Sequence, residues 1–131
     1  MSIKRVYLIL SVIIITFLSY QCGGDNKSED QMKQTIMIGN PVLGKDGFIK
    51  SCASCHGNDA KGLPKLGKDL TTSQFVKDKT NKELVDYVKM GRLPSDPLNT
   101  TGIAMPPKGG NPALTDKEIL DIVTYVKTVN N

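Results

Sequence analysis

The chain has 131 residues, 39% of them hydrophobic and only 5% aromatic, and its formal charge is +4. Three cysteines and a single histidine exclude a four-thiolate iron–sulfur cluster within one chain, and they leave no second ligand cluster for tetrahedral zinc. Basic and acidic residues are interspersed, so the clustered basic face that a polyanion needs is not expected, and nucleic acid is not a predicted partner.

Lys4 and Arg5 precede an apolar run at 6–18, interrupted only by Ser11 and Thr16. This is the charged and apolar pattern of an export signal, assigned to residues 1–21. The run is shorter than the ~20 residues that cross a bilayer core. Its extension to Tyr20 keeps an uncleaved anchor as the alternative. Cys22 then resembles the lipidated cysteine of bacterial lipoproteins, although Gln21 is larger than the residue such signals place there. A free thiol and an intermolecular disulfide are the competing readings of Cys22. Residues 22–38 are largely polar and lack a core-forming period, which predicts a flexible tether. Thr35-Ile36-Met37-Ile38 is its one apolar patch. Residues 39–131 remain for one small domain.

Three helices are expected in that domain. The first covers about 42–51, with Gly44 and Phe48 on one face. It delivers Cys52-Ala53-Ser54-Cys55-His56. Two thiols three residues apart, followed at once by an imidazole, form the attachment signature of c-type haem. Each thiol can bond one vinyl group of the macrocycle, and His56 then stands as the proximal iron ligand. A redox dithiol would want a βαβ context, which the sequence lacks.

Residues 57–79 read as loop, punctuated by glycine and proline. The second helix covers about 81–90: Thr80 and Glu83 have capping-box spacing, and Gly91 is a stop. Residues 91–113 read as loop again. They contain Met105, followed by Pro106 and Pro107, which fix the direction of the chain. With no second histidine, the sixth iron position falls to a methionine, and Met105 is the candidate distal ligand. Met90 and an open or water-bound position are the alternatives. Met90 ends a helix, where a methionine most often fills core. The third helix starts at Thr115, which forms a capping box with Glu118. Ile119, Ile122, Val123 and Val126 recur along it at helical spacing.

The sequence resembles the class I cytochromes c, of the small bacterial monohaem kind, over roughly 44–127. The resemblance rests on CASCHG at 52–57, GIAMPP at 102–107 and the closing helix. It implies an all-α fold, a small domain of three main helices and long loops wrapped around one covalently attached haem c. It implies that Gly44 and Phe48 meet Ile122 and Tyr125 of the last helix. It also implies that Phe48, Leu66 and Tyr125 pack the haem, and that the Pro64 carbonyl accepts a hydrogen bond from the proximal imidazole.

With both axial positions filled, the expected function is one-electron transfer, not enzymatic turnover. The expected traffic runs between membrane respiratory partners such as a terminal oxidase or reductase. A haem subunit fixed in a larger complex is the second reading, hinted at by the patch at 36–38. A peroxidase-like enzyme with a labile methionine is the third. The expected location is the periplasmic side of a membrane, held through Cys22, as a monomer. Without Lys4 and Arg5 the formal charge falls to +2, and two haem propionates would bring it near zero.

Overall fold

A computed structural model of the chain describes residues 38–131. The expected export signal, Cys22 and the tether up to residue 37 lie outside these residues, as do Met32 and Met37.

Asn40 opens the first helix, α1 (Pro41–Ser51). Its Oδ1 accepts from the backbone N–H groups of Val42 and Leu43, at 2.9 and 3.2 Å, and Pro41 occupies the first turn, where no intrahelical donor is missed. The chain breaks at Cys52 and continues as the single turn α2 (Ala53–His56). A short α3 (Gln74–Asp78) follows, with the Ser73 hydroxyl as its cap. Next come α4 (Asn81–Met90), a 3-10 turn at Pro107–Gly110 and the long α5 (Asp116–Val129). Among the described residues there is no strand, only two isolated antiparallel bridges, Leu63 with Gly67 and Arg92 with Met105. The fold is all-α, as expected. The three expected helices appear as α1, α4 and α5. The one-turn α3 and the 3-10 turn stand inside segments that read as loop.

α1 and α5 cross in backbone contact. A Cβ added to Gly44 would lie 1.9 Å from the Asp121 carbonyl oxygen, so only glycine admits this approach. One turn further on, Phe48 is fully buried, and its ring meets that of Tyr125 at a centroid distance of 5.4 Å and a tilt of 57°. Ile119, Ile122, Val123 and Val126 supply the rest of the buried face of α5. Asp121 is buried on the same helix and is paired twice. It accepts from the Asn40 N–H at 2.6 Å and from Lys117 Nζ at 2.5 Å, so the start of α1 is tied to the middle of α5.

The far end of α5 holds the 70–79 segment. Asn130 Nδ2 donates to the carbonyls of Leu70 and Ser73, at 2.8 and 3.1 Å, and Lys127 donates to the Lys79 carbonyl.

Both expected capping boxes are formed. The Thr80 hydroxyl accepts from Glu83 N–H while the Glu83 carboxylate accepts from Thr80 N–H, and Thr115 and Glu118 repeat the arrangement at α5.

Two predictions follow from this packing. Gly44→Ala must separate α1 from α5, and it should lower the stability of the holoprotein by about 1–3 kcal/mol, read from its denaturant midpoint. The Glu83 carboxyl is held at about 2, below its ordinary 4.5, by the Thr80 N–H and then by Lys79. A depressed carboxyl lends stability that is complete above 4.5 and is lost as the pH falls toward about 2. Glu83→Gln should therefore lower stability at neutral pH and flatten its loss across that acid window, measured by unfolding at a series of pH values.

Candidate haem site

The crossing of α1 on α5 sets where the thiols emerge. Cys52 ends α1, and its carbonyl accepts from the N–H groups of Cys55 and His56, at 3.2 and 3.0 Å. This single turn brings both sulfurs and the imidazole to the wall of one cavity. The two thiols form no disulfide. Burial, and then the neighbouring Cys55, push the Cys52 thiol up to about 11.

His56 Nδ1 lies 2.9 Å from the Lys68 carbonyl oxygen. Donation from Nδ1 fixes the tautomer and leaves Nε2 with the lone pair a metal needs. The expected partner was the Pro64 carbonyl, and here the structure corrects the sequence. Leu63 and Gly67 close a tight turn: the Leu63 carbonyl accepts from Leu66 and Gly67, and Lys65 stands at φ 62. Pro64 therefore sits exposed at the tip of that turn, and the returning segment presents the Lys68 carbonyl to the imidazole.

Phe48 and Leu66 line the cavity, with Phe75, Leu84, Tyr87, Val88, Ile122, Val123 and Val126 completing an apolar wall. Tyr125, the third residue expected to pack the cofactor, is buried against the Phe48 ring and lies outside this lining.

Met105 is in the wall as well, paired with Arg92 by reciprocal backbone bonds of 2.8 and 2.9 Å. Met90 is neither in the cavity nor in the core, being 72% exposed. Of the methionines in the described residues, only Met105 reaches the cavity. Sequence reasoning missed Lys68 and Arg92, both of which line the cavity. Neither belongs to a periodic pattern that would have marked it.

Residues 39–126 match the family model described as cytochrome c oxidase, cbb3-type, subunit III. The chain belongs to the cbb3-type cytochrome c family. Its relatives include cytochrome c-555 of Chlorobaculum thiosulfatiphilum, 32% identical over 65% of this chain and 91% of that protein. The cytochrome c subunit of a quinone alcohol dehydrogenase from Gluconacetobacter polyoxogenes is 31% identical over 66% of this chain. The match spans only 18% of that subunit's own length. Subunit CcoP of a cbb3-type cytochrome c oxidase from Rhodobacter capsulatus is 30% identical over 67% of this chain and 29% of that protein. No solved structure matches.

The cofactor of this cytochrome is haem c, covalently bound and carrying iron. The residues present fit it. An apolar cavity suits a macrocycle, two unpaired thiols stand at its wall, and one imidazole has its second nitrogen already engaged. A thioether stands in the same lining.

Proposed function

We propose that the protein is a one-electron carrier, with Cys52 and Cys55 as thioether attachments, His56 as proximal ligand and Met105 as distal ligand. The observation that carries this reading is that the only histidine of the chain and one methionine, 49 positions apart, line the same cavity as both thiols. When bound, haem c supplies reversible one-electron chemistry at its iron.

The chain's own residues do the rest. Lys68 orients the His56 ring through its carbonyl. The Arg92 backbone holds both main-chain polar groups of Met105, donating to its carbonyl and accepting from its N–H. The apolar wall excludes water, which strengthens every charge interaction inside it. Ligation by Met105 together with His56 would raise the reduction potential of the bound haem. This suits traffic toward the oxidising end of a respiratory chain, and a terminal oxidase or reductase is the proposed partner. Met105→Ala should abolish the weak long-wavelength band of methionine-ligated Fe(III) and make carbon monoxide bind promptly to the reduced protein. Retention of the band would remove Met105 from the iron. Prompt carbon monoxide binding by the unaltered protein would favour the peroxidase-like reading.

Export and acylation at Cys22 complete the proposal and place the carrier on the periplasmic side of a membrane. Among the described residues no helix is long and apolar enough to cross one. A tether raises the carrier's effective concentration at membrane partners without any new contact.

A second reading, a haem subunit fixed within a larger complex, is favoured by one feature. Ile38, Val42 and Leu43 expose 65%, 73% and 58% of their surface within six residues at the start of the domain. Cys22→Ala should release the protein into the soluble exported fraction. A carrier would leave alone, whereas a subunit would take other chains with it or stay behind.

A further inference from the structure

α4 ends against the segment that carries Met105. Gly91, at φ +71, closes the helix, and a Cβ there would lie 2.3 Å from the Met105 carbonyl oxygen and 2.8 Å from Pro107 N. The next residue is Arg92, whose side chain is only 9% exposed. Its guanidinium carbon lies 4.8 Å from the centre of the Tyr87 ring and 5.0 Å from that of Phe75, and the two rings stand 4.9 Å from each other. The three groups form one triangular cluster, in which a planar cation meets two half-buried aromatic rings at the cavity wall.

Arg92 Nη1 donates to the Leu98 carbonyl at 3.0 Å, Asp96 stands 3.8 Å from Nε, and Nε itself has no hydrogen-bond partner. The Leu98 carbonyl also accepts from Lys68 Nζ at 2.9 Å. Lys68 is the residue whose own carbonyl orients His56. A continuous set of bonds thus runs from His56 through Lys68, Leu98 and Arg92 to Met105.

We propose that Arg92 is the positioning residue of the distal ligand: its guanidinium, anchored on Tyr87, Phe75 and the Leu98 carbonyl, fixes the backbone to which Met105 is paired and so sets how often the thioether leaves the iron. This rests on Met105 being that ligand. The physical need is clear. A thioether is a weak donor, and it stays in place only if the chain behind it cannot move. The Arg92–Met105 pair has just two backbone bonds of its own, too few to resist fraying without the cation cluster. The buried positive charge has a second effect. It opposes the extra charge of oxidised iron and so favours the reduced form.

The test uses the full-length holoprotein. Arg92→Gln should bind carbon monoxide in the reduced state on the order of 10-fold faster than the unaltered protein, the scale of a lost desolvated cation–ring contact. It should also have a lower reduction potential. Arg92→Lys keeps the charge without the planar fork, so it should recover most of the potential while leaving the carbon monoxide rate between the other two. A rate and potential for Arg92→Gln equal to those of the unaltered protein would overturn the proposal. If Arg92→Gln does not accumulate with haem, Phe75→Leu takes its place. It removes one ring contact and should raise the carbon monoxide rate in the same direction by a smaller factor, and no rise overturns the proposal. The underlying reading fails separately: retention of the long-wavelength band in Met105→Ala removes the ligand, whereas loss of that band beside a native-like Arg92→Gln removes the role of Arg92 alone.

Discussion

The contact between the Gly44 backbone and the Asp121–Ile122 backbone governs the geometry of the rest of the domain. It sets the distance between α1 and α5, and that distance decides where the last turn of α1 ends. Cys52 emerges from that end, and the following turn carries Cys55 and His56 to the cavity wall. The same α5 reaches back through Asn130 and Lys127 to hold the 70–79 segment, from which Phe75 and Val76 enter the cavity. One helix therefore positions both the attachment turn and much of the apolar wall. The carboxylate of Asp121 makes the crossing specific, because a slip of either helix would cost this buried group its Asn40 donor and leave it only Lys117 of its own helix.

The two residues proposed as iron ligands are each held by main-chain groups. His56 is oriented by a backbone carbonyl, and Met105 by a backbone pair. On the proposed ligation, residues held this firmly would keep small the rearrangement that accompanies each electron transfer. The cation cluster of Arg92, Phe75 and Tyr87 lines the same cavity, so the influence proposed for Arg92 would be both mechanical and electrostatic.

How far the sequence could be read depends on how local each determinant is. Thr80 with Glu83 and Thr115 with Glu118 satisfy each other within four residues, so the starts of α4 and α5 were legible and are found as expected. The CASCH run is legible for the same reason. α3 is a single turn with no room for a period. It exists because Val76 is buried and because Asn130, far away in sequence, bonds to Ser73. The partner of His56 was misassigned to Pro64 because the turn at Leu63–Gly67 depends on Lys65 adopting φ 62, which lysine does not advertise. Tyr125 lies on the buried face of α5, where the helical period puts it. Its neighbour there is Phe48, and periodicity cannot say which of two stacked rings fronts the cavity.

The reciprocal bonds between Arg92 and Met105 close the base of the segment between them. Inside that base, Asn99 ties the segment to itself: its amide donates to the carbonyls of Leu93 and Ile103, and its oxygen accepts from Thr101 and Gly102. The stretch is thus a flap closed at its base by the Arg92–Met105 pair and tied to the rest of the domain through Lys68 at the Leu98 carbonyl. The entropy of closing such a flap grows only slowly with its length. Exposed side chains on its rim, such as Leu93 and Ser95, can be replaced while the Leu98 carbonyl shared by Lys68 and Arg92 stays in place, so the face the segment turns outward can change independently of the bonds behind it.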